Sequence, residues 1–99
     1  FMWQEIYPLQ TLRAQANGAA VATHLFISML NPRMRGPAFT WDDFTRIAVD
    51  MAEATAYQGF SDREWKRYGP LIEECASRSA KLAAERCLKD SGVRDWLPI

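Results

Sequence analysis

Apolar residues in this chain recur three and four positions apart over long stretches, and nowhere do they alternate with polar residues over a strand's length. Spacing near 3.6 gathers side chains on one side of a helix, whereas a half-buried strand needs a period of two. β-branched residues are scattered, so no strand signal competes. The chain is therefore expected to be all-α, a compact bundle of about four helices with one of them short.

Proline, glycine and capping residues divide the pattern. Pro8 suits a first helical position, where its missing N–H costs nothing. It opens a helix expected over residues 8–30, with Leu9, Leu12, Ala16, Ala19, Val21, Leu25, Phe26, Met29 and Leu30 as a broad apolar face. Gly18 costs about 1 kcal/mol against alanine inside a helix, so it marks a kink or a close crossing by another helix. Residues 31–37 hold Pro32, Gly36 and Pro37 and read as a loop. Thr40 reads as the N-cap of a second helix over 41–58, with Asp42 and Asp43 in its first turn. Phe44, Ile47, Ala48, Met51 and Thr55 form the expected core stripe, and Gly59 the stop. Ser61 with Glu64 is a capping box that opens a short third helix carrying Trp65 and Tyr68. Pro70 either breaks that helix or begins a fourth, expected to run to Asp90 and end at Gly92. Leu71, Ile72, Cys75, Ser79, Leu82, Ala83 and Cys87 are its expected inner face. Trp96 and Leu97 in the tail are expected to dock.

No internal repeat or linker interrupts residues 1–99, which read as a single helical domain. Met2 reads as the native start and Phe1 as an addition. A globular chain of 99 residues has a radius of gyration of about 13 Å.

Several functions are argued against. Twelve basic residues balance twelve acidic ones, unlike proteins that coat nucleic acid or anionic membrane. The least polar stretch, residues 19–30, is too short to span a bilayer. Glu5 and the lack of a basic start argue against a secretory signal. Cys75 and Cys87 on one helix lie about 18 Å apart, too far for a disulfide. Free thiols suit a cytoplasmic location.

His24 is the sole histidine, and its helical neighbours Ala20 and Ser28 ligate no metal. No zinc spacing, Walker A, G-x-G-x-x-G or G-x-S-x-G sequence occurs. Asp43, Asp50 and Glu53 share one side of the second helix without the E-x-x-H partner of helical metal sites. Asp42, Arg46 and Asp50 instead read as a solvated charge ladder, as do Glu74–Arg78 and Glu85–Lys89. The expectation is a protein that is not an enzyme and holds no cofactor or metal.

Positive charge gathers at Arg33 and Arg35, and again at Arg63, Lys66 and Arg67. Residues 58–68 resemble part of a helix-turn-helix: Gly59 in the turn, apolar Phe60, the Ser61 cap, then Trp65 and Tyr68. Gln58 and Thr55 depart from that pattern, where an apolar residue and alanine are usual. Four tryptophans are many for this length, and Trp3, Trp41, Trp65 and Trp96 cannot all be buried. Trp, Tyr and Arg dominate interface hot spots.

The alanine-rich first helix and the run Ile47-Ala48-Val49-Asp50-Met51-Ala52-Glu53-Ala54 resemble short all-helical accessory proteins of bacteriophages and other mobile elements. Anti-CRISPR and related counter-defence inhibitors are among them. The resemblance implies a protein that occupies a surface of a larger protein, without chemistry. The expected function is thus a non-catalytic protein-binding module of inhibitor type, using Arg33, Arg35, Arg63, Trp65, Lys66, Arg67 and Tyr68. If Trp65 anchors binding, its replacement by alanine weakens the complex by roughly 2 kcal/mol. A nucleic-acid binder using the 58–68 segment is the second expectation. Surplus aromatic surface also suits a homo-oligomer.

Overall fold

Small residues at intervals of four dictate how the helices meet. The computed structural model describes residues 8–96. It contains α1 (Pro8–Met29), α2 (Pro32–Arg35), α3 (Phe44–Thr55) and α4 (Asp62–Ser91), with single 3₁₀ turns at Trp41–Asp43 and Val93–Asp95. The buried positions are Ala14, Gly18 and Ala22 on α1, and Phe44, Ala48 and Ala52 on α3, continued by Ala56. On α4 the row is Ile72, Ala76, Ala80, Ala84 and Leu88, with Gly69 and Cys75 buried beside it. A row of i, i+4 positions is the ridge that packs into a neighbour's groove, and small side chains on it bring helix axes close.

Ala14 shares a core cluster with Ile72, Cys75 and Ala76, whereas Ala22 shares one with Ala80, Ala84 and Leu88. Helices α1 and α4 therefore run in the same direction. Phe44 lies with Leu88 and Val93, and Ala56 with Ile72, so α3 runs the opposite way. The result is an up-down-up arrangement in which α4 contacts both other long helices more extensively than they contact each other.

Gly18 marks a close crossing, not a kink. A Cβ built there would overlap the carbonyl oxygen of Ala76 and lie 2.8 Å from its carbonyl carbon. Nearby, the Ser79 hydroxyl donates to the Gln15 carbonyl at 2.7 Å. Burial of Thr11 completes this side of α1.

The short helix is not the one expected. Residues 32–35 form it, although they read as loop. Pro32 occupies the N1 position that tolerates proline, and the Asn31 side chain accepts from the Arg33 N–H at 3.0 Å. Gly36, at φ +69°, ends the turn before Pro37 is reached. Residues 62–91 are one helix that continues through Pro70. Pro70 forfeits the hydrogen bond to the Lys66 carbonyl, but apolar contacts hold the helix on either side: Trp65 and Tyr68 pack on the same cluster as Ile72 and Cys75.

The capping box forms as expected. Ser61 Oγ accepts from the Glu64 N–H at 3.1 Å, and Glu64 Oε1 accepts from the Ser61 N–H at 3.0 Å. Thr40 caps no backbone group; its hydroxyl donates to Asp43 Oδ2 at 2.9 Å. Helix α3 stops at Thr55, three residues early, and Gly59 (φ +84°) serves the following turn. Gly92, left-handed at φ +66°, ends α4 as expected.

A 30-residue helix is about 45 Å long, which sets the long axis of a molecule measuring 48 × 23 × 15 Å. The radius of gyration is accordingly 14.8 Å, above the globular expectation. No helix among the described residues is long and apolar enough to cross a membrane. Trp3, Leu97 and the Phe1–Met2 start lie outside the described residues.

Candidate functional site

The topology separates the expected binding residues into two groups. Arg33 and Arg35 sit on α2, beside the C-terminal ends of α1 and α4. Arg63, Trp65, Lys66, Arg67 and Tyr68 sit on the first turns of α4. The rise from Arg67 to Leu88 alone is about 30 Å, so one small ligand or short peptide cannot engage both.

At the α2 end, aromatic rings stack edge to face. Trp41 lies 5.2 Å from Phe39, 5.7 Å from Phe44 and 6.0 Å from Trp96, centroid to centroid. The Arg35 guanidinium stands over Trp41 at 5.8 Å. Arg94 meets Asp42 at 4.0 Å, an exposed pair worth little in water. Arg35, Arg94, Phe39, Trp41 and Trp96 line an open depression of about 690 Å³. Trp96 is the most exposed tryptophan described, whereas Trp41 is half-buried.

At the opposite end, Trp65 and Tyr68 are half-buried and brace the bundle. Trp65 lies against Gly69 and meets Tyr57 edge-on at 6.3 Å. Arg67 lies over the Tyr68 ring at 5.3 Å. Arg63, Lys66 and Arg67 are exposed and form no ion pair among the described residues. The helix-turn-helix likeness does not extend to the crossing: α3 and α4 stay in contact from Ala56 and Ile72 to Phe44 and Leu88, as an antiparallel hairpin. The DNA-binding motif crosses its helices at about 90–120°.

Arg13, which carries no role in the sequence reading, ties this end together. It is the only charged residue of α1. Its guanidinium meets Glu64 at 3.4 Å, donates to the Gly59 carbonyl and lies 4.5 Å from the Phe60 ring centroid. A single cation in a 22-residue helix was the available signal. The hydrogen bond from the Ser61 N–H, aided by the Ser61 hydroxyl and Arg13, holds the Glu64 carboxyl below its ordinary value against a smaller opposing effect of burial.

Between α1 and α3 runs an open groove of about 630 Å³. Val21, Leu25 and Met29 line one wall and Met51 the other, with Met34 of α2 at one end. His24 is exposed on the α1 wall and no cysteine lines the groove. Met51 was expected in the core; Phe44 and Ala48 are buried as expected, but Ala52 takes the next place and leaves Met51 outside. Met34 and Met51 are flexible thioethers that adapt to irregular partner surfaces.

Among the described residues, the groups capable of chemistry stay apart. Cys75 is buried and Cys87 half-buried, both free. Burial pushes both thiols above their ordinary value, with Glu74 and Asp90 adding to the effect. Among the described residues, no three His, Cys, Asp or Glu side chains converge on a possible metal position. Arg46 pairs with Asp43 at 3.8 Å and Asp50 at 3.5 Å, and Arg78 with Glu74 at 3.7 Å. Asp42 leaves its expected place in that ladder for Arg94.

Comparison with protein-family models, curated proteins and solved structures finds no match to this chain.

Proposed function

We propose that this protein is a non-catalytic binding module that acts by occupying the surface of a larger protein, as an inhibitor would. One observation carries the reading: the bundle interior is built largely of alanine, while long apolar side chains stand outside around an open groove. An exposed apolar groove bounded by helices accepts a helix or loop from a partner, with burial supplying affinity. Arg33 and Arg35 flank the Met34 end and add charge contacts at the rim, which favour specificity and fast encounter.

The test compares tagged wild-type protein with a Met34→Glu/Met51→Glu variant in nuclease-treated lysate of the source cell. Both should show the same circular dichroism. The wild type is expected to retain one dominant protein, and the variant to lose it. Equal retention by the two, or no nuclease-resistant partner, overturns the reading.

A nucleic-acid-binding alternative draws on one feature, the exposed cations Arg63, Lys66 and Arg67, which have no acidic partner among the described residues. Three phosphate contacts would give log affinity a slope of about −3 against log salt concentration. A flat salt response rejects it.

A further inference from the structure

The side of α1 turned away from both α3 and α4 is apolar, uncharged and symmetric in its sequence. Leu9, Leu12 and Ile27 are 64%, 56% and 59% exposed. Leu30, 40% exposed, extends the face by one residue, since its N–H still bonds the Phe26 carbonyl at 3.1 Å. Between these bulky ends lie Ala16, Ala20 and Thr23, exposed, and half-buried Ala19. The one charged residue of the helix, Arg13, is directed to Gly59, Phe60 and Glu64. Eight positions spaced three and four apart thus form a stripe that is large at both ends and small in the middle.

We propose that this face pairs with the same face of a second copy, antiparallel, about a twofold axis passing between Ala19 and Ala20. A twofold antiparallel helix pair matches residue i with a partner residue j of constant sum. A sum of 39 pairs Leu9 with Leu30, Leu12 with Ile27, Ala16 with Thr23 and Ala19 with Ala20 of the other copy. Every large side chain meets a large one, and every small one meets a small one. The small centre lets the helices approach to the close end of the 8–10 Å range of helix packing, and the bulky ends close over the crossing. No charge is desolvated when the face is covered.

The expected strength follows from size. Eight partly exposed side chains per copy, at roughly 60 Å² each, bury about 1,000 Å² in total, where specific interfaces begin and far below an obligate dimer. An interface of this size suits a reversible dimer, and a dissociation constant on the order of micromolar is the expectation the experiment brackets. Ala20 also lines the groove between α1 and α3, whereas Leu12 and Ile27 do not, so variants at those two positions test dimer formation apart from partner capture.

Sedimentation velocity on the full chain, from about 5 to 500 μM to bracket that constant, tests the proposal. Wild type is expected to shift from monomer to dimer across this range. Leu12→Glu and Ile27→Lys should each weaken association at least tenfold. The double variant L12E/I27K should recover it, because each glutamate then faces the partner's lysine. Within one chain the two positions are about 22 Å apart, so the recovery reports contact between copies. Circular dichroism checks that each variant folds. As a second measurement, Ala20→Cys should give a covalent dimer on air oxidation while Leu82→Cys, exposed on α4, should not. Wild type that stays monomeric throughout, singles that associate like wild type, a double variant no better than the singles, or equal cross-linking at 20 and 82 overturns it.

Discussion

Gly18 of α1 rests on the backbone carbonyl of Ala76 in α4, with no space between the helices for one further carbon. Two effects of Gly18→Ala oppose each other. Alanine gains about 1 kcal/mol of helix propensity. The added carbon meets backbone, which cannot rotate aside, and overpacking of this kind costs about 3 kcal/mol or more. The second effect wins. Urea and thermal unfolding should show a net loss of about 2 kcal/mol, or a midpoint lower by roughly 10 °C.

Gly69 also lies buried within a helix, yet its substitution has the opposite sign. A Cβ there would sit 3.5 Å from the Trp65 ring, an ordinary contact. Gly69→Ala should stabilise the protein by about 1 kcal/mol through propensity alone. A loss in the same melts would show that α4 needs glycine's freedom beside Pro70.

The start of α4 depends on Ser61 and Glu64 satisfying each other's backbone donors. Ser61→Ala should cost about 1 kcal/mol. The folded Glu64 carboxyl titrates below its ordinary value of 4.5. Its stabilisation is therefore complete above that value and is lost as pH falls through the lower, folded value. Melting temperature measured from pH 6 down to pH 2 should fall less steeply in Glu64→Gln than in wild type. Identical slopes would remove Glu64 from the acid transition.

Trp65 and Met51 should separate stability from recognition. Trp65 braces the core cluster around Ala14, Ile72 and Cys75, and Met51 faces the groove. Trp65→Ala is expected to cost about 2–3 kcal/mol of folding stability, and Met51→Ala less than about 0.5. A mild Trp65→Ala variant would reassign that ring from support to surface.

Burial keeps both thiols protonated at neutral pH and shields Cys75 more than Cys87. Labelling by a thiol reagent should be slow in the native protein, with Cys87 reacting about tenfold faster than Cys75. Unfolding in urea should bring the two rates together.

The helices were legible because their signals are local. Ser61 and Glu64 mark a start, Gly92 marks an end, and apolar spacing excludes strands. Pro32 and Pro70 misled for one reason: proline's effect depends on its neighbours. After Asn31, Pro32 starts a turn; within an α4 held by core contacts on both sides, Pro70 does not break it. Arg33 and Arg35, expected in a loop, lie on α2, and Trp65 and Tyr68, expected to face a partner, are half-buried against the core; nothing local shows that Arg35 and Arg67 stand at opposite ends of the molecule. Only the parallel course of α1 and α4 decides that.

The sequence by itself determined an all-α chain, the limits of α1 and the two ends of α4, because caps, turns and periodicity act within a few residues. It left open which side of each helix turns inward. Helix α1 carries both a bulky apolar stripe and an alanine stripe, α3 and α4 carry exposed Met51 and Leu82 beside theirs, and size alone favours burying Leu9, Leu12, Met51 and Leu82. The tertiary structure buries Ala14, Ala48, Ala52 and Ala80 instead. The physical reason is the Gly18–Ala76 contact: once two backbones touch, only small side chains fit around the crossing, and the large ones are left outside.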